Sequence, residues 1–211
     1  MIKPPHRYSL GLAFIGLLLL FTFPLPCAPA AAAPIGSIPS RIILTWSGDP
    51  ATTQSVTWQT TTALSTPQGQ VAKTSPHPNF GDSAATVPGT LTSTAAGESG
   101  HYVVNFTGLE PATKYLYRIG DGKTWSEWNA FRTASAKPES FRFLYVGDAQ
   151  NNIKSMWSRT IRAAYAAAPD ARFIAHAGDL LAEGYDDRLW GEWSDALGFI
   201  SATVPSLPAP G

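Results

Sequence analysis

The chain has 211 residues, 44% of them hydrophobic, and its 15 basic side chains balance its 15 acidic ones. That length and composition suit one or two globular domains. The even balance of charge gives no polybasic footprint of the kind that binds nucleic acid or an anionic membrane, so we expect no nucleic-acid partner.

The first 33 residues have the pattern of a secretory signal peptide. Lys3 and Arg7 form a basic start, and Leu10 to Phe23 is an apolar run followed by alanine-rich cleavage sites. A retained membrane anchor is the alternative, but the run is shorter than the ~20 residues that a span needs. We predict a mature N-terminus between Ala31 and Pro34, a secreted or periplasmic location, and no stable membrane span after cleavage.

The mature part of the chain has no cysteine, because the single cysteine, Cys27, lies in the signal segment. Without Lys3 and Arg7, 13 basic side chains remain against 15 acidic ones. An exported protein without disulfides is common among bacterial periplasmic and secreted proteins, and less so among small eukaryotic extracellular modules.

Residues 41–133 are typical of short β-strands separated by turns. Ser55 to Thr60 and His101 to Phe106 alternate bulky and small polar side chains, and glycine-containing turns lie at 48–50, 97–100 and 120–122. This punctuation predicts a β-sandwich of about 95 residues. We expect the weakly patterned stretch from Thr74 to Thr94 to be a long surface segment.

A tyrosine corner indicates the type of sandwich. Leu109 to Tyr115 has the spacing Leu-x-Pro-x-Thr-x-Tyr, in which the phenol bonds back to upstream backbone. The tryptophans of this region have two interpretations, a sugar-stacking platform or, more commonly, large aromatics that fill or flank the core. They are Trp46, Trp58, Trp125 and Trp128.

After a short linker the pattern changes to strand, helix, strand. Phe141 to Val146 and Arg172 to His176 are apolar runs typical of buried parallel strands, and residues 152–168 have apolar positions at helical spacing. A second helix is predicted over 186–200. We expect Pro205 to Gly211 to be only the approach to the next block, so that the chain stops before a third strand.

A Gly-Asp pair follows each of the two predicted parallel strands, as Gly147-Asp148 and Gly178-Asp179. One such pair alone is an ordinary turn. Two of them at neighbouring strand ends would deliver carboxylates to the crevice where α/β sheets bind ligands, and carboxylates suit hard metal ions. A nucleotide-binding fold is the rival, but it requires a glycine-rich turn, and residues 147–152 contain one glycine.

Taken in order, these motifs resemble a known family. Leu-Thr-Trp-Ser-Gly-Asp-Pro at 44–50, the tyrosine corner and Phe-Arg-Thr-Ala at 131–134 resemble the N-terminal domain of purple acid phosphatases. Gly-Asp-x-Gln at 147–150 and Gly-Asp-Leu at 178–180 resemble the first two blocks of the calcineurin-like metallophosphoesterase domain. The resemblance spans residues 41–211.

The resemblance implies a fold class and a division of the chain. The expected fold is a fibronectin type III-like β-sandwich followed by the start of an α/β metallophosphoesterase domain. The expected boundaries are 1–33 for the signal peptide, 34–134 for the sandwich and 135–211 for the partial catalytic domain. The family's third block and its later histidine motifs lie outside this sequence, so the catalytic residues remain unknown.

The resemblance also implies a cofactor and its ligands. Asp148 would bind the first of two divalent or trivalent ions (Fe, Zn or Mn), and Asp179 would bridge both, so that a water is activated to hydrolyse a phosphate ester. The family's tyrosine three residues after the second Asp is Ala182 here, which indicates a non-purple relative. Gln150 replaces a frequent histidine and is either a substitute ligand or a hydrogen-bonding neighbour of the ligands; His176 is a further candidate neighbour.

The sequence therefore predicts an exported metal-dependent phosphoesterase. Two carboxylates are too few to hold two ions, so we expect the 211-residue chain itself to be inactive. The alternative from another class is a non-catalytic exported fibronectin-like binding module.

Overall fold

Residues 40–132 fold into eight antiparallel strands in the computed structural model, which describes residues 37–94 and 99–209. The predicted signal peptide and the predicted turn residue Gly97 lie outside the described residues. The strands are β1 (Ser40–Thr45), β2 (Gln54–Thr60), β3 (Gln68–Lys73), β4 (Ala85–Pro88), β5 (Thr90–Thr94), β6 (Gly100–Phe106), β7 (Lys114–Gly120) and β8 (Asn129–Arg132).

These strands form two four-stranded sheets, in the orders β1-β2-β6-β5 and β4-β3-β7-β8. Their inward-facing side chains make one buried core, in which Trp58 stacks on Tyr102 with 5.4 Å between ring centroids. The hydroxyl of Tyr115 accepts a hydrogen bond from the Glu110 amide at 2.9 Å, which confirms the tyrosine corner. The predicted β-sandwich is therefore confirmed.

The predicted surface segment at 74–94 is wrong in one respect, because it contains β4, β5 and a 3-10 turn at Phe80–Ser83. Both strands lie at sheet edges. Most of their described side chains are exposed. An edge strand that faces solvent does not require alternating apolar residues, and this is why the sequence pattern did not reveal them.

The tryptophans fill or flank the packed regions, as their commoner interpretation predicted. Trp58 is 1% exposed, and Trp46 makes an edge contact with Phe173 at 5.7 Å. Trp125 and Trp128 both lie beside the Arg118 guanidinium, at 4.5 and 4.6 Å from their ring centroids. Each of the four aromatic rings is therefore engaged within the protein.

Beyond the sandwich, three short strands form a parallel sheet in the order β11-β10-β9. The elements of this part are β9 (Leu144–Val146), α1 (Ser158–Ala167), β10 (Ile174–His176), α2 (Asp187–Leu197), α3 (Phe199–Thr203) and β11 (Ser206–Pro208). A π-helical turn at Ile153–Trp157 leads into α1, and Gly198 separates α2 from α3 with a φ of 54°.

The expectation that the chain stops before a third parallel strand is wrong. Residues 206–208 pair with β10, with Pro208 opposite His176. The strand has no apolar run and contains a proline, which is tolerated because β11 lies at a sheet edge. Its sequence therefore gave no strand signal.

Polar contacts join the sandwich to the parallel sheet. The Tyr117 hydroxyl donates to the Ala202 carbonyl of α3 at 2.7 Å, and the Thr45 hydroxyl donates to the Ser206 carbonyl at 2.9 Å. All the described residues fall within one compact unit. None of the helices in the described ranges has the length and hydrophobicity to cross a bilayer.

Candidate metal centre

The two Gly-Asp turns leave the same edge of the parallel sheet side by side. Val146 of β9 is opposite His176 of β10, and the Ala177 amide donates to the Val146 carbonyl at 2.7 Å. A Cβ built on Gly147 would lie 3.3 Å from the Cβ of Ala177, so the two turns are in contact. The predicted convergence of the turns at one end of the sheet is thus what the fold produces.

Both aspartates have left-handed backbone conformation, with φ of 53° at Asp148 and 52° at Asp179. Gly178, between β10 and Asp179, has a φ of 100°. Positive φ is uncommon outside glycine, although aspartate tolerates it better than most residues, and such strain often marks functional sites. The sequence pattern did not reveal this shared conformation, because the tertiary course of the turns imposes it.

Gln150 connects the two turns. Its amide N–H donates to the Asp179 carbonyl at 3.1 Å, and its side-chain nitrogen lies 3.4 Å from the Asp179 carboxylate. The side-chain contact is long, but it directs a hydrogen-bond donor toward the carboxylate. Of the two roles left open for Gln150, this geometry favours the neighbour that orients Asp179.

His176 lies beneath the turns and is 2% exposed. Its Nε2 atom lies 3.4 Å from the Ser206 hydroxyl, and its ring centroid is 5.4 Å from that of Trp193. Its Nδ1 atom has no hydrogen-bond partner among the described residues. Burial lowers the pKa of His176 from 6.5 to about 4, so the ring is neutral near pH 7.

The acidic residues after the second turn have other roles. The Asp186 carboxylate accepts from the Arg188 amide and caps α2. Both Asp187 carboxylate oxygens accept from the Arg41 guanidinium, at 2.6 and 2.9 Å, and this contact lowers the pKa of Asp187. Tyr185, three residues beyond Ala182, is fully exposed.

The two aspartates provide the type of ligand that a metal ion binds, but fewer ligands than two ions need. Their carboxylates are exposed oxygen donors at the ends of adjacent strands, and hard cations prefer such ligands. Within the described ranges, however, no group of three or more His, Cys, Asp or Glu side chains could hold an ion. Two ions would require further ligands.

The described part of the chain thus combines a fibronectin-like sandwich with a parallel sheet in which β9 and β10 each end in an acidic turn. The family model "Purple acid Phosphatase, N-terminal domain" matches residues 39–133. Acid phosphatase type 7 of Danio rerio is 33% identical over 112 residues, which cover 51% of this chain and 25% of that relative. The chain thus spans about a quarter of that curated relative.

A solved structure of PhoD shares the fold. It superposes with a TM-score of 0.59 at 17% identity, covering 85% of this chain and 40% of that one. Residues 39–133 are therefore similar to the N-terminal domain of purple acid phosphatases.

Proposed function

We propose that this chain is the N-terminal part of an exported, metal-dependent phosphoesterase. The observation that carries the proposal is the pair of Gly-Asp turns in contact at one end of the parallel sheet, directly after a purple acid phosphatase N-terminal domain. Phosphate esters are the substrate class, since they are what the resemblance implies. The apolar run and alanine-rich stretch of the first 33 residues support export.

Asp148 and Asp179 would hold the metal ions. When bound, two such ions supply a water of lowered pKa and positive charge that offsets the charge on the phosphoryl oxygens. The exposed carboxylates at the ends of β9 and β10 offer two ligands, and two ions would need further ligands besides them.

The other residues of the site act on these two carboxylates. Gln150 restrains Asp179 by contacts to its carbonyl and its carboxylate, so that less of its rotamer freedom is left to be lost on binding. His176 is buried and uncharged, and therefore adds no positive charge that would oppose a cation at the turns. Gly147 has no side chain where a Cβ would lie 3.3 Å from the Ala177 Cβ, and this lets the two turns lie close together.

The test compares two purified proteins, the 211-residue chain and the product of a reading frame extended past it. Hydrolysis of an aryl phosphate is measured with added Mn²⁺, Zn²⁺ or Fe³⁺ and with chelator. We expect the extended protein to hydrolyse the ester only with metal, and the 211-residue chain to be inactive. An Asp148→Asn/Asp179→Asn double variant of the extended protein serves as the control and should lose activity while remaining folded.

The alternative, a non-catalytic binding module, predicts a different result. It would be favoured if the extended protein, folded and loaded with metal, showed no hydrolysis of aryl monoesters or diesters. Activity that survives in the Asp148→Asn/Asp179→Asn variant would instead refute the assignment of the Gly-Asp turns. Sequencing the N-terminus of the exported protein tests export separately, and retention of Met1 on membrane-bound protein would count against cleavage.

A further inference from the structure

A basic cleft lies at the opposite end of the parallel sheet from the Gly-Asp turns. It has a volume of about 560 Å³ and lies between the sandwich strands β7 and β8 and the segments that lead into β9 and β10. Four cationic side chains line it, together with aromatic rings that include Phe141 and Phe199. The cations are Lys114, Arg132, Arg142 and Arg172.

Two of these four cations are already neutralised. Arg142 forms an ion pair with Asp170 at 2.8 Å, and Arg172 forms one with Glu139 at 3.1 Å. Lys114 and Arg132 have no ion pair within the part of the chain that the structure describes. The cleft therefore has an excess of two positive charges that no ion pair among the described residues offsets.

Lys114 and Arg132 also face each other directly. They are partners in the antiparallel register of β7 and β8, a position in which side chains lie on the same face with Cβ atoms roughly 4.5–5.5 Å apart. Like charges at directly opposed positions destabilise a sheet. An anion held between the two side chains would turn this repulsion into attraction.

The rest of the cleft wall combines accessible aromatic rings with the polar residues Ser140, Asp170 and Thr203. Phe141 is 55% exposed and Phe199 is 54% exposed, and Phe199 makes an edge contact with Tyr165 at 5.5 Å. Exposed aromatic rings beside unpaired cations suit an anionic group that is attached to a flat apolar body.

The basic cleft is distinct from the candidate metal centre. The Arg172 amide donates to the Arg142 carbonyl, and pairing then continues to Val146, where the Gly-Asp turn begins. At the usual rise of a parallel strand, residues 142 to 146 span about 13 Å. A ligand in the cleft is therefore not in reach of both Lys114 and the metal-site turns at once unless it is long.

We propose that the basic cleft binds a phosphate-type dianion between Lys114 and Arg132. The ligand is either inorganic phosphate or the phosphate of an organic ester whose apolar part lies on the aromatic wall. This site stands on the cross-strand cation pair and the cleft, and does not depend on the proposed catalytic function.

The experiment titrates the full 211-residue chain with inorganic phosphate and with phenylphosphonate, which cannot be hydrolysed. Isothermal titration calorimetry is run at low salt with chelator, so that no metal at the Asp148 and Asp179 turns contributes. We expect saturable binding of one equivalent. Tighter binding of phenylphosphonate would identify an organic ester as the ligand, and equal affinity would identify inorganic phosphate.

The variants test the two cations. Lys114→Gln/Arg132→Gln should weaken binding of both ligands at least ~10-fold, because charge-assisted hydrogen bonds are the strong ones. The matched control, Lys123→Gln/Arg159→Gln, removes the same charge at exposed positions outside the cleft and should bind as the native chain does. Equal weakening in the control would show general charge attraction and overturn the proposal, as would the absence of saturable binding to the native chain.

A second variant guards against a folding defect. Arg132→Glu places opposite charges at the cross-strand pair. Its unfolding temperature should therefore equal or exceed that of the native chain, and it should lose phosphate binding. Added phosphate should raise the unfolding temperature of the native chain but not that of Arg132→Glu. A phosphate-dependent rise of equal size in both proteins would refute the site.

Discussion

The buried histidine below the Gly-Asp turns should make the fold sensitive to acid. His176 is 2% exposed, and burial lowers its pKa from 6.5 to about 4. In the folded protein the ring stays neutral down to that value, whereas in the unfolded chain it takes up a proton below its ordinary pKa. The contribution of His176 to the free energy of unfolding is therefore fully present above pH 6.5 and is lost as the pH falls toward 4.

The size of the effect follows from the two pKa values. At pH 5 the difference in protonation corresponds to about 2 kcal/mol of lost stability. For a chain of this length that loss lowers the melting temperature by roughly 4–8 °C. His176→Leu cannot take up the proton. Between pH 7 and pH 5 its melting temperature should therefore decrease by roughly 4–8 °C less than that of the native protein.

The assay is thermal unfolding followed by circular dichroism from pH 7.5 to pH 4.5, with chelator present. The two proteins are compared by the slope of melting temperature against pH. The substitution also changes the packing against Trp193 and Ser206, but this effect is independent of pH. His77→Gln, at an exposed histidine, is the control and should follow the native curve. Native and His176→Leu curves that run parallel would refute the reasoning.

Two further predictions concern the contact between the sandwich and α3, and the Gly-Asp turns. Tyr117→Phe should destabilise the protein by ~1–3 kcal/mol in urea unfolding, because it leaves the buried Ala202 carbonyl without its donor, and should speed amide exchange in α3; unchanged exchange there would contradict it. Gly178→Ala should cost roughly 1–3 kcal/mol, because a φ of 100° is disfavoured once a Cβ is present. Gly147→Ala, whose φ is not positive and whose new Cβ meets only the Ala177 Cβ closely, at 3.3 Å, should cost less in the same unfolding assay.

Most strands with a buried face were predictable from the sequence, whereas strands without one were not; β3 is the exception, because it has a buried face but was not predicted. β6 alternates buried and less buried residues, and its bulky residues follow the same period. β4, at a sheet edge, has no fully buried side chain, so its sequence has no pattern to detect. β11 pairs through its backbone at the edge of the parallel sheet, and a backbone contact needs no particular side chain.

The position of the two aspartates was predictable, but their conformation was not. Gly-Asp after each buried strand identified Asp148 and Asp179, because strand ends in a parallel sheet share one edge. Their positive φ and the contact of Gln150 with Asp179 depend on how the two turns pack against each other. The same holds for Tyr117, whose hydroxyl partner is 85 residues away in the chain.

We propose that the Gly-Asp turns hold metal, with Asp179 contributing to both sites. Metal content and turnover measured on the same preparations of the extended protein test it most directly, using Asp148→Asn, Asp179→Asn and Gln150→Ala, with folding checked by circular dichroism. We predict that Asp179→Asn loses both metals and nearly all turnover and that Asp148→Asn comes close to it. Gln150→Ala should lose only roughly 10–100-fold in affinity or activity. Full metal content and near-native turnover in Asp179→Asn would contradict the account.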